Sequence, residues 1–283
     1  MNQQQQSLLL CLAHPDDESF GSGGMMATVA ARGVEVTLVC ATRGEVGEIS
    51  DPALATPETL AQVREAELRC ACETLGVNPP IFLGYRDSGM AGTEENQHPA
   101  AFANAPAGAV VPRLVGLIRR LRPQVVITFD PSGGYGHPDH IAIHHHTVAA
   151  FHAAGDAAQY PAQGEPWQPA RLLYAVLPKS LFERMRQMMV EAGVDTSDWD
   201  RFAEEGDIGF PDEEIQIVVD VSGTVEAKWA ALHCHATQFG QDNTFRKVSE
   251  ADSKQMMSRE YFVQAWPEPA PGLRLDDIFA GLS

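Results

Sequence analysis

The sequence is poor in basic residues: 20 Lys and Arg stand against 38 Asp and Glu, and the formal net charge is −18. Nucleic acids and anionic membrane surfaces both attract proteins through clustered Lys and Arg. The deficit therefore argues against a nucleic-acid or membrane partner. It does not identify a substrate, and it leaves a homo-oligomer open.

Long apolar runs and cysteines are scarce as well. The first apolar run, at 8–13, is too short to span a bilayer, and residues 1–7 lack the basic start of a signal peptide. The chain has five cysteines, of which Cys11 and Cys40 lie inside strand-like apolar runs. We therefore predict that all five are reduced thiols in a soluble cytoplasmic protein.

A dinucleotide fingerprint is also missing. The run Gly21-Ser22-Gly23-Gly24 follows the first predicted strand, but it lacks the Gly-x-Gly-x-x-Gly spacing, which disfavours a nicotinamide-dependent oxidoreductase. The chain is 44% hydrophobic and 20% charged, as is usual for a globular protein. Its 283 residues are enough for one large domain or two modest ones.

Apolar strand-like runs alternate with helical segments of ten or more residues. This pattern predicts an α/β protein with a Rossmann-like three-layer fold and a mostly parallel sheet. We divide the chain into a catalytic portion, 1–155, and a smaller C-terminal α/β portion, 156–283, which completes the sheet and the substrate pocket within one continuous domain. The second portion includes an acidic loop around Trp199 and a weakly helical tail at 275–282.

Several predicted strands end in loops rich in Asp, Glu, His and Arg. The first loop reads His14-Pro15-Asp16-Asp17-Glu18, and a later one, at 133–140, reads GGYGHPDH. Unpaired buried charges are costly, so packing alone does not explain such clusters. Because ligands bind beyond the carboxyl ends of parallel strands, we predict an active site with a divalent metal there.

The residue types favour zinc, since histidine nitrogens and carboxylate oxygens suit it while magnesium prefers oxygens alone. Neighbours in an extended loop point to opposite sides, so one of Asp16 and Asp17 binds the metal and the other acts as a general base toward water. Of His137 and His140, one ligates the metal and the other stabilises an oxyanion or protonates an amine. Tyr135 adds a hydroxyl donor.

Other interpretations of these motifs need to be weighed. The first motif alone is also typical of a helix N-cap, but a second His/Asp cluster argues against that. The three histidines at 144–146 cannot all face a metal, so we interpret them as surface or core residues. A metal-binding module without turnover would lack the base that Asp16 supplies, and a phosphoesterase would need more oxygen ligands and a second metal.

Five motifs in this order resemble the LmbE/PIG-L family of zinc-dependent N-deacetylases. They are AHPDDE at 13–18, TRGEVGE at 42–48, RDSGM at 86–90, GGYGHPDH at 133–140 and KWAALHCHATQ at 228–238. The likeness is strongest toward the N-acetylglucosaminide deacetylases of mycothiol and bacillithiol biosynthesis.

The resemblance implies hydrolysis of the N-acetyl group of a small glycoside, of the GlcNAc-inositol or GlcNAc-malate type. It implies one Zn²⁺ per chain, with Fe²⁺ as another candidate metal. Two alternatives stay open, an amidase that cleaves mycothiol-type S-conjugates and a deacetylase of other GlcNAc saccharides.

The resemblance also implies roles for single residues. The metal ligands would be His14, Asp17 and His140. Asp16 would be the general base, and His137 would stabilise the oxyanion.

Further roles follow from the same motifs. Tyr135 matches a tyrosine that polarises the acetamide carbonyl. The expected substrate contacts are Glu48, Arg64 and Asp87. The expected supports behind the metal ligands are Asp139 and Glu18.

Overall fold

A computed structural model describes residues 5–196, 209–241 and 243–282. Within these ranges the strands are β1 (Ser7–Leu12), β2 (Glu35–Cys40), β3 (Ile81–Phe82), β4 (Val125–Phe129), β5 (Arg171–Val176), β6 (Ile217–Asp220) and β7 (Arg259–Trp266). The α-helices are α1 (Asp17–Gly21), α2 (Gly23–Ala31), α3 (Leu60–Leu75), α4 (Ala107–Leu121), α5 (Gly133–Gly136), α6 (Pro138–Ala154), α7 (Lys179–Glu191), α8 (Val225–Cys234), α9 (Thr244–Lys247) and α10 (Glu250–Met256).

The strands form one sheet in the order β3-β2-β1-β4-β5-β7-β6. Neighbouring strands run parallel, except that β7 runs antiparallel to both β5 and β6. The chain builds β1, β2 and β3 toward one edge and then returns to place β4 on the other side of β1. The strand order thus reverses between β1 and β4, the position where open α/β sheets bind ligands.

Helices cover both faces of the sheet, which explains the continuous apolar runs of the strands. Successive side chains of a strand point to opposite faces. Leu8, Leu10 and Leu12 belong to a core that includes residues of α2, α3 and α8. Leu9 and Cys11 belong to a second core with residues of α4 and α6. The predicted α/β three-layer fold with a mostly parallel sheet is confirmed.

Local signals place the two helices that flank the site. Helix α3 ends at Leu75 because Gly76 adopts a left-handed conformation with φ of 72°. Helix α6 begins with Pro138, and the His137 side chain caps it by accepting a hydrogen bond from the backbone N–H of Asp139.

The C-terminal portion differs in part from the prediction. Strand β7 was not predicted, although its residues alternate between more and less buried positions. Residues 275–282 form turns rather than the predicted helix, and Leu275 makes a bridge to Ile217. The predicted loop around Trp199 lies outside the described residues, and the division at residue 155 stays a prediction. No helix in the described part of the chain is both long and apolar enough to cross a membrane.

The prediction of five reduced cysteines is wrong, because Cys70 and Cys234 form a disulfide. The two residues are 164 positions apart, so no local pattern connects them. Packing of α3 against α8 brings their Cα atoms to 5.8 Å, a usual separation for a disulfide. The remaining cysteines of the described residues are free and buried: Cys11, Cys40 and Cys72.

Candidate active site

Three loops converge at the carboxyl edge of the sheet. The loop after β1 carries His14 and Asp17, the segment after β3 carries Asp87, and the turn between β4 and α6 leads to His137 and His140. Of these five residues, Asp17 is partly exposed and the other four are buried. The loops therefore converge at one edge of the sheet, as the sequence predicts, and they do so beside the switch point between β1 and β4.

Three side chains meet at distances that suit one metal ion. The Nδ1 of His14 lies 3.3 Å from the Nε2 of His140. The Oδ1 of Asp17 lies 3.3 Å from that Nε2, and its Oδ2 lies 3.8 Å from the His14 Nδ1. Ligand atoms about 2.0–2.2 Å from a tetrahedral zinc are separated by about 3.3–3.6 Å. The separations in this cluster are close to that range.

Hydrogen bonds at the outer side of each imidazole direct a lone pair into the cluster. The Nε2 of His14 lies 3.1 Å from the Oδ2 of Asp139, and the Nδ1 of His140 lies 3.1 Å from the carbonyl oxygen of Gly133. When these oxygens accept the ring protons of the neutral imidazoles, the opposite nitrogens face each other with their lone pairs. Two facing lone pairs repel unless a proton or a metal ion lies between them, and the donor set fits a divalent metal.

The electrostatics of the cluster also favour a cation. Burial alone would lower the pKa of His14, but the carboxylates of Asp139 and Asp87 raise it well above its ordinary value. Burial alone would raise the pKa of Asp17, but His140 and His14 hold it well below its ordinary value. The cluster thus stabilises positive charge between the imidazoles and keeps Asp17 ionised.

Among the described residues, two donor groups have all their ligand atoms within 4.8 Å of one another, namely His14 with His137 and His140, and His14 with Asp87 and Asp139. Protein donors already occupy their oxygens and nitrogens. Asp139 accepts from the backbone N–H of Ser88 at 2.9 Å and from its hydroxyl, and Asp87 accepts from the Gly89 N–H at 2.9 Å. The Nδ1 of His137 accepts from the Asp139 N–H at 3.1 Å. Asp17 makes its backbone hydrogen bonds through Oδ2, which accepts from the N–H groups of Ala13 at 3.1 Å and His14 at 2.7 Å, while its Oδ1 faces His140.

Asp16 sits in a strained turn beside this group. Its φ of 118° is rare for a residue with a side chain and persists only where the surroundings hold it. Its backbone N–H donates to Glu18 Oε2 at 3.1 Å, and its Oδ2 accepts from Arg64 Nη2 at 3.1 Å. Burial raises the pKa of Asp16 to about 6, although Arg64 opposes the rise. Its side chain does not cap α1, so the N-cap interpretation does not explain it.

Arg64 lies underneath the loops rather than at an open surface. It is 3% exposed, and besides Asp16 it donates to the carbonyl oxygens of Pro15 at 2.6 Å and Gly44 at 3.2 Å. A Cβ at Gly44 would lie 2.1 Å from the Nη1 of Arg64. The loop after β2 therefore approaches the guanidinium this closely only because residue 44 is glycine. The structure thus brings together the first two motifs through one arginine.

The other expected substrate contacts differ in their surroundings. Asp87 is 3% exposed, and its Oδ1 lies 3.5 Å from His14 Nε2. It therefore contacts the side of the His14 ring that is opposite to Nδ1, the nitrogen facing His140. Glu48 is exposed, and its carbonyl oxygen accepts from Gln238 Nε2 at 2.7 Å. Of the three, only Glu48 has a side chain open to solvent.

His137 and Tyr135 complete the face of the cluster. Burial, together with His14 and His140, lowers the pKa of His137 to about 4, so its imidazole is neutral at neutral pH. Because Nδ1 accepts a hydrogen bond, the proton resides on Nε2. Tyr135 is 50% exposed, and its ring centroid lies 5.1 Å from that of His140.

Three contributors were not predicted. Ser88 holds Asp139, and Asp130 shapes the turn before Tyr135 by accepting from the N–H groups of Ser132 at 2.7 Å and Gly134 at 3.1 Å. The position of Asp130 directly after a buried strand was a usable signal.

The third is His235, which the sequence favours as a structural residue late in a helix rather than as part of the site. Its Nε2 lies 2.8 Å from the Oε1 of Glu18, which is fully buried. The partners are 217 positions apart, so no motif reveals the pair.

This topology, with a histidine–carboxylate cluster beyond β1 and β4, defines an open-sheet α/β protein with a candidate metal-binding site at the carboxyl edge of the sheet. Residues 9–151 match the model of the PIG-L family, which is described as GlcNAc-PI de-N-acetylase. The chain is also 39% identical to a protein of Streptomyces scabiei over 97% of this chain and 89% of the relative, and 42% identical to one of Acidothermus cellulolyticus over 98% and 95%. Both relatives are named 1D-myo-inositol 2-acetamido-2-deoxy-alpha-D-glucopyranoside deacetylase.

A solved structure shares the fold. The N,N'-diacetylchitobiose deacetylase from Pyrococcus horikoshii aligns with a TM-score of 0.63 and 20% identity, over 91% of this chain and 83% of that one. The chain therefore belongs to the PIG-L family and is an N-deacetylase, which confirms the resemblance seen in its motifs.

Proposed function

We propose that this protein removes the N-acetyl group from the N-acetylglucosamine unit of an inositol glycoside, with one Zn²⁺ as its metal. The observation that carries the proposal is the group of His14, Asp17 and His140 with the carboxylate of Asp16 in the same loop. The substrate class comes from the names of relatives that are 39% and 42% identical to the chain.

In this proposal His14, Asp17 and His140 hold the ion. A bound Zn²⁺ supplies Lewis acidity, which polarises the acetamide carbonyl and lowers the pKa of water. The same ligand types also accept Fe²⁺. Asp139 orients His14, and the backbone carbonyl of Gly133 orients His140.

Asp16 acts as the general base in this proposal. The Arg64 guanidinium and the strained backbone fix its carboxylate, so it accepts a proton from the attacking water without first reorienting. A pKa of about 6 also suits it to hold that proton and transfer it to the departing amine nitrogen. We therefore assign the acid step to Asp16 rather than to His137.

His137 donates a hydrogen bond to the developing oxyanion. A neutral imidazole with its proton on Nε2 is a sufficient donor, and the capping bond at Nδ1 keeps the ring in place. The Tyr135 hydroxyl, on a glycine-flanked turn, is the second donor to the same oxygen.

For substrate recognition we keep Glu48 as an acceptor for sugar or inositol hydroxyls, because its side chain is open to solvent. Arg64 and Asp87 support Asp16 and His14 instead, since both are buried against those residues.

The test is acetate release from N-acetylglucosaminyl-inositol, N-acetylglucosaminyl-malate and N,N'-diacetylchitobiose, after chelation and return of Zn²⁺. We expect the inositol glycoside to have the highest kcat/KM and the chelated protein to be inactive. A higher rate on a thiol S-conjugate would instead identify the amidase, and no acetate from any of the glycosides would refute the proposed substrate.

A further inference from the structure

One cysteine of the disulfide, Cys234, directly precedes His235, which makes a buried contact with Glu18 in the loop after β1. Cys234 is the last residue of α8, and the disulfide fixes it to Cys70 on α3. His235 follows directly, and its side chain turns inward, where its Nε2 lies 2.8 Å from Glu18 Oε1. Cys70 itself is exposed. A bond that solvent reaches is thus adjacent to a contact that solvent does not reach.

Glu18 passes this contact on to the general base. Its Oε2 accepts the backbone N–H of Asp16 at 3.1 Å, and its Oε1 faces His235. Both Glu18 and His235 are 0% exposed. A backbone with φ of 118° keeps that conformation only while its neighbours hold it. The place of the Asp16 carboxylate therefore depends on the place of His235.

Helix α3 closes the path into a ring of contacts. Arg64, Glu67 and Cys70 follow one another at intervals of three residues, so each is a neighbour of the next on successive turns of the helix. Arg64 holds Asp16, and Glu67 accepts from the N–H and the hydroxyl of Thr237 at 2.8 and 2.7 Å. Cys70 carries the disulfide. One helix thus holds both the general base and the segment that contains His235.

We propose that the disulfide between Cys70 and Cys234 is a redox-sensitive positioning device for Asp16, acting through His235 and Glu18. The inference rests on the proposed role of Asp16 as the base. A dithiol supplies two electrons and two protons, the S–S bond breaks into two cysteine thiols, and the dithiol becomes a disulfide. The covalent link between the end of α8 and α3 is then lost, the contact of His235 with Glu18 loosens, and Asp16 loses its fixed position.

The test compares the full-length Zn²⁺-loaded protein before and after reduction with dithiothreitol, which is then removed without oxygen because it binds zinc. We expect kcat to fall about tenfold while KM and the zinc content stay unchanged. We also expect faster hydrogen exchange of the backbone amides at 16–19. If the disulfide only stabilises the fold, its reduction will lower Tm and leave kcat unchanged. That result would overturn the proposal.

Variants separate the steps of the path. Cys70→Ser should have the low kcat of the reduced protein and no response to the dithiol. His235→Leu should also be slow and unresponsive, whereas His235→Gln keeps an N–H donor and should restore part of the rate and of the response. Cys72→Ala, a buried free thiol on the same helix, is the matched control and should respond like the wild type.

The exchange measurement separates this proposal from the proposed function. If the oxidised wild type with zinc releases no acetate from any glycoside, the function is refuted. In that case faster exchange at 16–19 on reduction, absent in His235→Leu, still supports the positioning device. Unchanged exchange on reduction overturns it.

Discussion

Asp16 combines features that rarely occur together in one residue. It has a strained backbone, a largely buried carboxylate and an arginine partner, and it directly precedes the proposed metal ligand Asp17. We predict that Asp16→Asn keeps its zinc but lowers kcat by about 10²–10⁴, since only the base is lost. Metal analysis and acetate release test this. Asp17→Asn is the contrast and should lose zinc, and full activity in Asp16→Asn would contradict the assignment.

The pH dependence follows from the same carboxyl group. Burial raises the pKa of Asp16 to about 6, and a bound cation lowers it from that value. As the pH falls through this pKa, Asp16 gains a proton and no longer accepts one from water. We predict that kcat/KM falls about tenfold per pH unit below a midpoint at or under 6. His137, with a pKa near 4, remains neutral through most of this range.

The midpoint is measured from kcat/KM at pH values between about 4.5 and about 8, which is roughly the pH range in which proteins stay folded. A midpoint clearly above 6 would mean that another group controls the rate. The acid limb should also disappear in Asp16→Asn, whose residual rate no longer depends on this proton.

At the scale of elements, one buried arginine organises the segment after α6. Arg119 on α4 is 5% exposed, and its guanidinium donates to backbone carbonyl oxygens. The acceptors are Ala153, Ala154, Asp156, Gln159, Tyr160 and Gly164. The Gly-, Pro- and Gln-rich segment at 155–169 therefore folds against α4 around a charged donor instead of around apolar side chains.

We predict that Arg119→Leu lowers the free energy of unfolding by about 3 kcal/mol or more, because it leaves buried carbonyl groups without donors. Urea unfolding measures this loss. Arg120→Leu, the exposed neighbour on the same helix, should change stability by less than about 0.5 kcal/mol. The folded Arg119 variant should keep the wild-type kcat, and a stability equal to that of Arg120→Leu would contradict the predicted role.

The elements that the sequence predicts are those whose signals are local. The buried strand before His14 and the glycine that ends α3 are encoded in neighbouring residues. The two main loops of the candidate site were predictable because the motifs at 13–18 and 133–140 lie just after the buried strands β1 and β4. The disulfide, the Glu18–His235 pair and the placement of β7 depend on packing between distant segments. A single sequence carries no pattern for such pairs.

For the molecule as a whole, the metal and the hydrophobic cores are separate sources of stability. The cores lie on the two faces of the sheet, whereas the cluster lies at its edge. We predict that chelation abolishes activity and lowers Tm but leaves the secondary structure intact. Zinc at about 100 times its Kd stabilises the folded state by about 2.7 kcal/mol.

Circular dichroism and a melting curve, with and without zinc, test this prediction. Return of Zn²⁺ should restore both Tm and acetate release. Loss of secondary structure on chelation would show that the ion is needed for folding itself.

The position of β7 has a consequence for synthesis on the ribosome. β7 lies between β5 and β6, although it follows both in the chain. Among the described residues, the partners of β6 are β7 and Leu275, which both emerge later than β6. The nascent chain can therefore pair β1 to β5 before β7 has been synthesised, whereas β6 stays unpaired until β7 and Leu275 emerge. Because unpaired strands invite aggregation, this stage is where a chaperone would protect the growing protein.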